Sequence, residues 1–168
     1  MLPLTKVSHE HHELLWRYVR QLDELADGLD CDCLDSGVLT VELPRLREVY
    51  EGLQTQLIPH MEAVEAAVHP TLERLLEDRS TTVPMAAEHE EIRRLVSTFA
   101  TYATDDPAAH ADRMSVLALR RVLLRLYVLL KTHLSEEQLY IPILEDGLRP
   151  AEEAALARAL DHLASERL

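Results

Sequence analysis

Apolar positions recur along most of the chain at helical spacing, i, i+3, i+4 and i+7, and five helical segments follow from them. The first is predicted from about Ser8, a suitable N-cap, to Ala26, with Gly28 as its stop and His11, Leu14, Leu15, Tyr18, Leu22 and Leu25 facing inward. A loop of some 14 residues containing Ser36 and Gly37 is expected next. The second helix is predicted to begin near Pro44 and run toward Leu76 on the seam Leu46, Val49, Leu53, Leu57, His60, Val64, Val68. Pro59 and Pro70 fall inside it and should kink or interrupt it. After "DRSTTVP" a third helix, from about Pro84 to Tyr102, carries Met85, His89, Ile92, Val96 and Phe99. A fourth, from about Pro107 to Glu145, carries Leu123, Leu126, Leu130, His133, Glu137, Tyr140 and Leu144, with Pro142 disturbing its last turn and Gly147 ending it. A fifth, about 151–166, shows Leu156, Leu160 and Leu163 on one side.

Two members of the fourth seam do not belong in an apolar core, His133 and Glu137. A buried carboxylate is costly unless something compensates it. The halves of the chain resemble each other: "EHHELLWRYV" answers "EHEEIRRLVS", and "LIPHMEAVEAAVHPTL" answers "KTHLSEEQLYIPIL", aligning His11 with His89 and His60 with His133. A helix pair used twice buries its seams by closing into a four-helix bundle. Four imidazoles at repeat-equivalent seam positions then converge, with Glu137 one turn from His133 and about 40° around the helix. Neutral imidazoles are good ligands for iron, zinc or copper, and a metal cation compensates the carboxylate.

Composition narrows the class. The chain has 168 residues, enough for one domain with a sizeable core, and only 4 glycines. The formal charge of −13 argues against nucleic acid and anionic membrane surfaces as partners. No apolar run is long enough to span a bilayer, and the N-terminus lacks signal-peptide organisation, so a cytoplasmic protein is expected. Cys31 and Cys33 read as solvent-facing loop thiols, not a disulfide framework. Homodimer formation is left open.

His11, His60, His89, His133 and Glu137, with the "EH" openings and the Pro-x-Leu tails at Pro70–Leu72 and Pro142–Leu144, resemble the hemerythrin-like HHE cation-binding family over residues 8–146. The resemblance implies an all-α, up-down-up-down four-helix bundle, here with an additional C-terminal helix at about 150–167. It also implies a non-haem iron centre, two ions joined by an oxo or hydroxo bridge. Family members bind O2, handle nitric oxide or peroxide, or sense iron and oxygen. The family ligand pattern is His, His-x3-Glu, His, His-x3-Glu, with both glutamates bridging.

This chain departs from that pattern at Val64, where the first glutamate is expected. Glu65 is one residue late, about 140° from His60, and points away unless a π-bulge reorients it. Glu62 lies on the far side. His69, just before Pro70, lies about 180° from His60 on a regular helix. The kink at Pro70 or the same bulge would swing it inward, and an imidazole would then replace the lost carboxylate. Its other reading is a surface histidine. Glu136 competes with Glu137 for the inward face, and spacing from His133 favours Glu137. His9 and His12 are placed off the seam, with His12 an alternative to His11. His110 and His162 are placed on exposed faces. Tyr18 and Tyr127 read as core, Trp16 as a packing or interface residue, and Tyr140 as a hydrogen-bond donor near the centre. Three functions compete: a di-iron protein binding or processing O2, peroxide or nitric oxide; an iron- or oxygen-responsive module without catalysis; and a degenerate bundle holding a single metal such as zinc.

Overall fold

The computed structural model describes residues 4–29, 38–110 and 112–165. Cys31, Cys33, Ser36 and Gly37 lie outside the described residues, as do the side chains of Ser8, His162 and Leu163. The described residues hold helices and turns and no strand. We number them α1 (Leu4–Gly28), α2 (residues 38–76), α3 (Val83–Thr104), α4 (Arg113–Glu137), α5 (Tyr140–Gly147) and α6 (Pro150–Ser165). A 3-10 turn, Pro107–His110, links α3 to α4.

Several boundaries differ from the expectation. Helix α1 starts four residues before Ser8. Helix α2 starts at Val38, not at Pro44, which sits inside it. The donor that Pro44 lacks is missed only on the outer side, because Pro44, Thr40 and Val41 are all exposed. Helix α4 starts at Arg113, where Asp112 accepts from the backbone N–H groups of Met114 (2.9 Å) and Ser115 (3.0 Å). It stops at Glu137, and a turn at Gln138 and Leu139 separates it from α5. Pro142 explains the break, since it removes a donor from the turn that follows.

Pro59 and Pro70 do not break α2. Each is preceded by one wide π turn, at Leu53–Leu57 and Val64–Val68. The backbone N–H of Ile58 reaches Leu53 O, and that of His69 reaches Val64 O, five residues back. Widening moves the proline ring away from the carbonyl it would strike four residues earlier. The rod stays continuous, and each wide turn delays the register beyond it by one residue, about 100°.

Helices α1, α2, α3 and α4 close a ring: α1 packs on α2 and α4, and α3 packs on the same two. Helix α6 lies across α1 and residues 58–68 of α2, and α5 lies against residues 69–76. This is the all-α up-down-up-down bundle with an additional C-terminal helix. Its apolar interior is divided. The larger cluster includes Leu15, Leu22, Leu57, Ile92, Phe99 and Leu130; the smaller includes Val64, Leu72, Met85, Leu144, Leu156 and Leu160. On α2, α3 and α4 a histidine marks the boundary: His60 between Leu57 and Val64, His89 between Met85 and Ile92, His133 after Leu130. Each fully buried leucine contributes about 1.5–3 kcal/mol, so the polar layer is held between two well-anchored ends.

Two arginines repeat across the halves. Arg47 donates through Nε to the carbonyl of Ala103 near the end of α3 (3.0 Å), and Arg120 donates to that of Ala26 near the end of α1 (2.9 Å). A cation at a helix C-terminus meets carbonyls that lack partners and the negative end of the dipole.

Candidate metal centre

The seam of α1 is turned slightly from the expected face. The structure buries His12, Leu15, Val19, Leu22 and Ala26, and leaves His11 and Leu14 half-buried. Helix α3 buries His89, Ile92, Val96, Phe99 and Ala103 at the same spacing. Matched by seam, His12 corresponds to His89. The signal was present in the sequence: the apolar series Leu15, Val19, Leu22, Ala26 continues back to His12, whereas the shared "EH" dipeptide draws the eye to His11.

The buried polar layer has two sides joined by Glu137. On one side, His12, His60 and Glu137 form a group whose donor atoms all lie within 4.8 Å of one another. Glu137 Oε2 is 3.0 Å from His60 Nε2 and 3.2 Å from His12 Nε2. The His60 contact is a hydrogen bond, while His12 Nε2 lacks hydrogen-bond geometry to any group. The His11 ring stands beyond this group, 6.4 Å from that of His60. Helical spacing from His133 placed Glu137 inward and Glu136 outward, and their exposures agree.

On the other side stand His133, His89 and His69. His133 Nε2 is 3.8 Å from Glu137 Oε2 and 3.1 Å from His89 Nε2. The His69 ring stacks on His89 with centroids 5.6 Å apart, and its Nε2 has no hydrogen-bond partner. His69 is buried because the wide turn at Val64–Val68 has rotated it from the far side of α2. Glu65, inside that turn, does not join Glu137. Its Oε1 accepts from His89 Nδ1 at 2.7 Å and its Oε2 from Arg93 at 2.8 Å. Glu88, which sequence reasoning overlooked, does the same for His133 Nδ1 at 3.0 Å. It sits one residue before His89, on the edge of the inward face, so no seam pattern signals it.

These contacts fix the imidazole protons. Carboxylates only accept, so the Nδ1 atoms of His89 and His133 carry the hydrogens, and their Nε2 lone pairs face each other. Two lone pairs 3.1 Å apart repel unless a cation lies between them. Two imidazole–metal bonds of about 2.1 Å meeting at a right angle place their nitrogens about 3.0 Å apart. The His12 and His60 contacts to Glu137 have the same length, that of one edge of a coordination polyhedron. The donor set therefore fits metal cations.

Charge follows burial and neighbours. Burial opposes ionisation of Glu137, but the facing His60 and His12 outweigh it and hold its carboxyl well below the usual range. Burial likewise opposes charging of His60, and Glu137 reverses this, raising its pKa. Burial, with help from His133, pushes His89 down to about 4, leaving its imidazole neutral and free to ligate. Burial lowers His69 in the same direction. Glu65 is lowered: burial acts against this, and the hydrogen bonds from Arg93 and His89 prevail.

A small cavity of about 20 Å³ adjoins the His60–Glu137 side, with His11 and Tyr140 at its edge and Val64, Val68, Leu144 and Leu160 as apolar wall. That is room for about one water-sized molecule. His110 packs half-buried on Tyr102, away from this layer, and His9 is exposed. Among the described residues no helix is long and apolar enough to cross a membrane.

Comparison with known proteins agrees with this geometry. Searches of curated proteins and of solved structures return no significant match. The family model described as the hemerythrin HHE cation binding domain matches residues 3–144, which holds every histidine and glutamate of the buried layer. With most of its length matched and a buried His/Glu cluster where four helices meet, the chain belongs to the hemerythrin HHE cation-binding family.

Proposed function

We propose that the protein is a non-haem di-iron protein that binds or processes O2, peroxide or nitric oxide. The observation that carries this reading is the pair of Nε2 atoms on His89 and His133, 3.1 Å apart, each ring held from behind by a carboxylate. His12, His60 and Glu137, whose donor atoms lie within 4.8 Å of one another, would hold a first cation; His89 and His133 would hold a second, with His133 Nε2 3.8 Å from Glu137 Oε2 and the His69 ring stacked on His89. Iron bound there supplies open coordination positions and redox chemistry toward small oxygen and nitrogen ligands. Val64 contributes no ligand, so imidazoles would outnumber carboxylates around the cations, with Glu137 the carboxylate at their centre. Such a set carries less negative charge than the two-glutamate pattern and favours binding the reduced metal.

The chain's own groups have defined tasks. Glu65 and Glu88 hold the Nδ1 protons, orienting both rings and making them more basic ligands. Glu137 stays ionised and balances cation charge. Tyr140, half-buried, lines the cavity, and burial raises its pKa, keeping its hydroxyl protonated and able to donate. Apolar side chains around the layer keep bulk water out.

The direct test is metal analysis of the purified protein with optical spectra in both redox states. Two irons per chain, with spectral change on adding O2, peroxide or nitric oxide to the reduced form, is the expected result. Turnover separates an enzyme from a responsive binding module. Val64→Glu is expected to strengthen iron retention. A second reading, one metal such as zinc, is favoured by the His12–His60–Glu137 group alone, and one tightly held zinc per chain with His69→Ala and His89→Ala neutral would select it.

A further inference from the structure

Resting on the proposed metal centre, we infer that Leu160 of the added helix α6 sets the size of the ligand pocket, limiting it to ligands no wider than a diatomic or linear triatomic molecule. Four observations converge. Leu160 lines the cavity beside His60 and Glu137, and among the described residues it is the one lining residue that α6 contributes. Helix α6 lies beyond the residues matched by the family model, which end at 144, so this wall is not part of the matched segment. Helix α6 also packs directly on α1 and on residues 58–68 of α2, the elements that carry His12, His60 and the wide turn at Val64–Val68. Leu160 is buried and belongs to the same apolar cluster as Val64, Val68 and Leu144, which form the rest of the wall.

The chemistry of this wall is steric. Val64 stands where a carboxylate would fill the space, and its short side chain leaves a gap next to the donors. Leu160 lines the same cavity. A ligand occupying that space must fit against both side chains. Leu156 lies one turn earlier on α6 and is buried in the same cluster, but it does not line the cavity. It provides a control in which the helix is weakened and the wall is left intact.

The experiment compares the full-length protein with Leu160→Ala, Leu160→Phe and Leu156→Ala. In metal-free protein, xenon is titrated and the methyl signals of Val64 and Leu144 are followed by NMR, since apolar cavities take up xenon. In the oxidised iron-loaded protein, azide and imidazole are titrated by absorbance. Leu160→Ala is expected to tighten xenon binding at least fivefold and to raise affinity for imidazole at least tenfold with azide little changed. Leu160→Phe is expected to abolish the xenon response and to weaken azide at least tenfold while iron content stays constant. Leu156→Ala should leave the ratio of imidazole to azide affinity unaltered. The inference is overturned if both Leu160 variants keep the native xenon and azide behaviour, or if Leu156→Ala shifts the ratio as far as Leu160→Ala. Failure of the metal centre itself reads differently: no iron is retained by any chain, while the xenon titration still decides whether Leu160 bounds the cavity.

Discussion

The pair α1–α2 and the pair α3–α4 solve the same packing problem with different chemistry. Both place a histidine on the first helix, His12 or His89, and one on the second, His60 or His133. Both send an arginine, Arg47 or Arg120, to the end of a helix in the other pair. They part immediately after the second histidine. The second pair has Glu137 four residues on and then a break at Gln138 and Leu139. The first has Val64 at that place and one more residue before its proline, absorbed by the wide turn Val64–Val68. A carboxylate is thereby lost from the centre of the layer and an imidazole, His69, is gained at its side. The difference teaches that a repeat can keep its core and exchange its ligands by changing one turn.

Substitutions that strike one pair and spare the other break the comparison most sharply. Glu137→Ala removes the carboxylate that, among the described residues, both sides share, and iron content measured by metal analysis should fall to less than half of native. Glu65→Gln keeps the hydrogen bond to His89 in weakened form and should cost about 10–100-fold in iron affinity, as competition with a chelator will show. If the two losses are equal, the distinction drawn between the glutamates is wrong.

Stability separates the pairs next. A Cβ added at Gly52 would stand 2.1 Å from Tyr18 Cε1, inside the contact between α1 and α2. Gly52→Ala should therefore destabilise the protein by about 2–3 kcal/mol in urea titration, while the reverse change, Ala100→Gly on α3, should cost about 1 kcal/mol through helix propensity.

Acid acts on the second pair. The folded pKa of His89 is about 4 against a reference of 6.5. At this group the unfolded chain binds the proton first, so in the metal-free protein His89 costs stability as pH falls from 6.5 toward 4, by up to a few kcal/mol, while His60, with its raised pKa, acts in the opposite sense. His89→Phe should flatten that part of the profile measured by thermal unfolding. Smallest of all, Arg47→Ala and Arg120→Ala should each cost about 0.5–1 kcal/mol in urea titration, since the two contacts correspond. Unequal losses would show that the repeat is only superficial there.

Helical spacing made most of the bundle legible. The seams of α2 and α3 are buried at each named position, because runs such as Leu46, Val49, Leu53 and Leu57 leave one face for the core. The rotation of α1 was missed by one residue, since His11 and His12 are adjacent and a wide apolar face accommodates either. Glu137 could be read from spacing to His133. The positions of Glu65 and His69 could not, because they depend on whether a proline kinks, breaks or widens its helix, and composition does not choose among these. Glu88 was invisible for another reason. Holding a ring from behind needs a side chain beside the seam, where polar residues are ordinary.

The wide turn at Val64–Val68 has a consequence for how this chain tolerates change. Because the turn already absorbs one extra residue, deleting a single residue there would return the helix to regular spacing and leave Leu72 and all that follows on α2 facing the interior, whereas inserting one would swing them by about 100°. Between His60 and Pro70 the chain therefore tolerates a lost residue better than a gained one, and a version lengthened by one residue should fold worse than a version shortened by one.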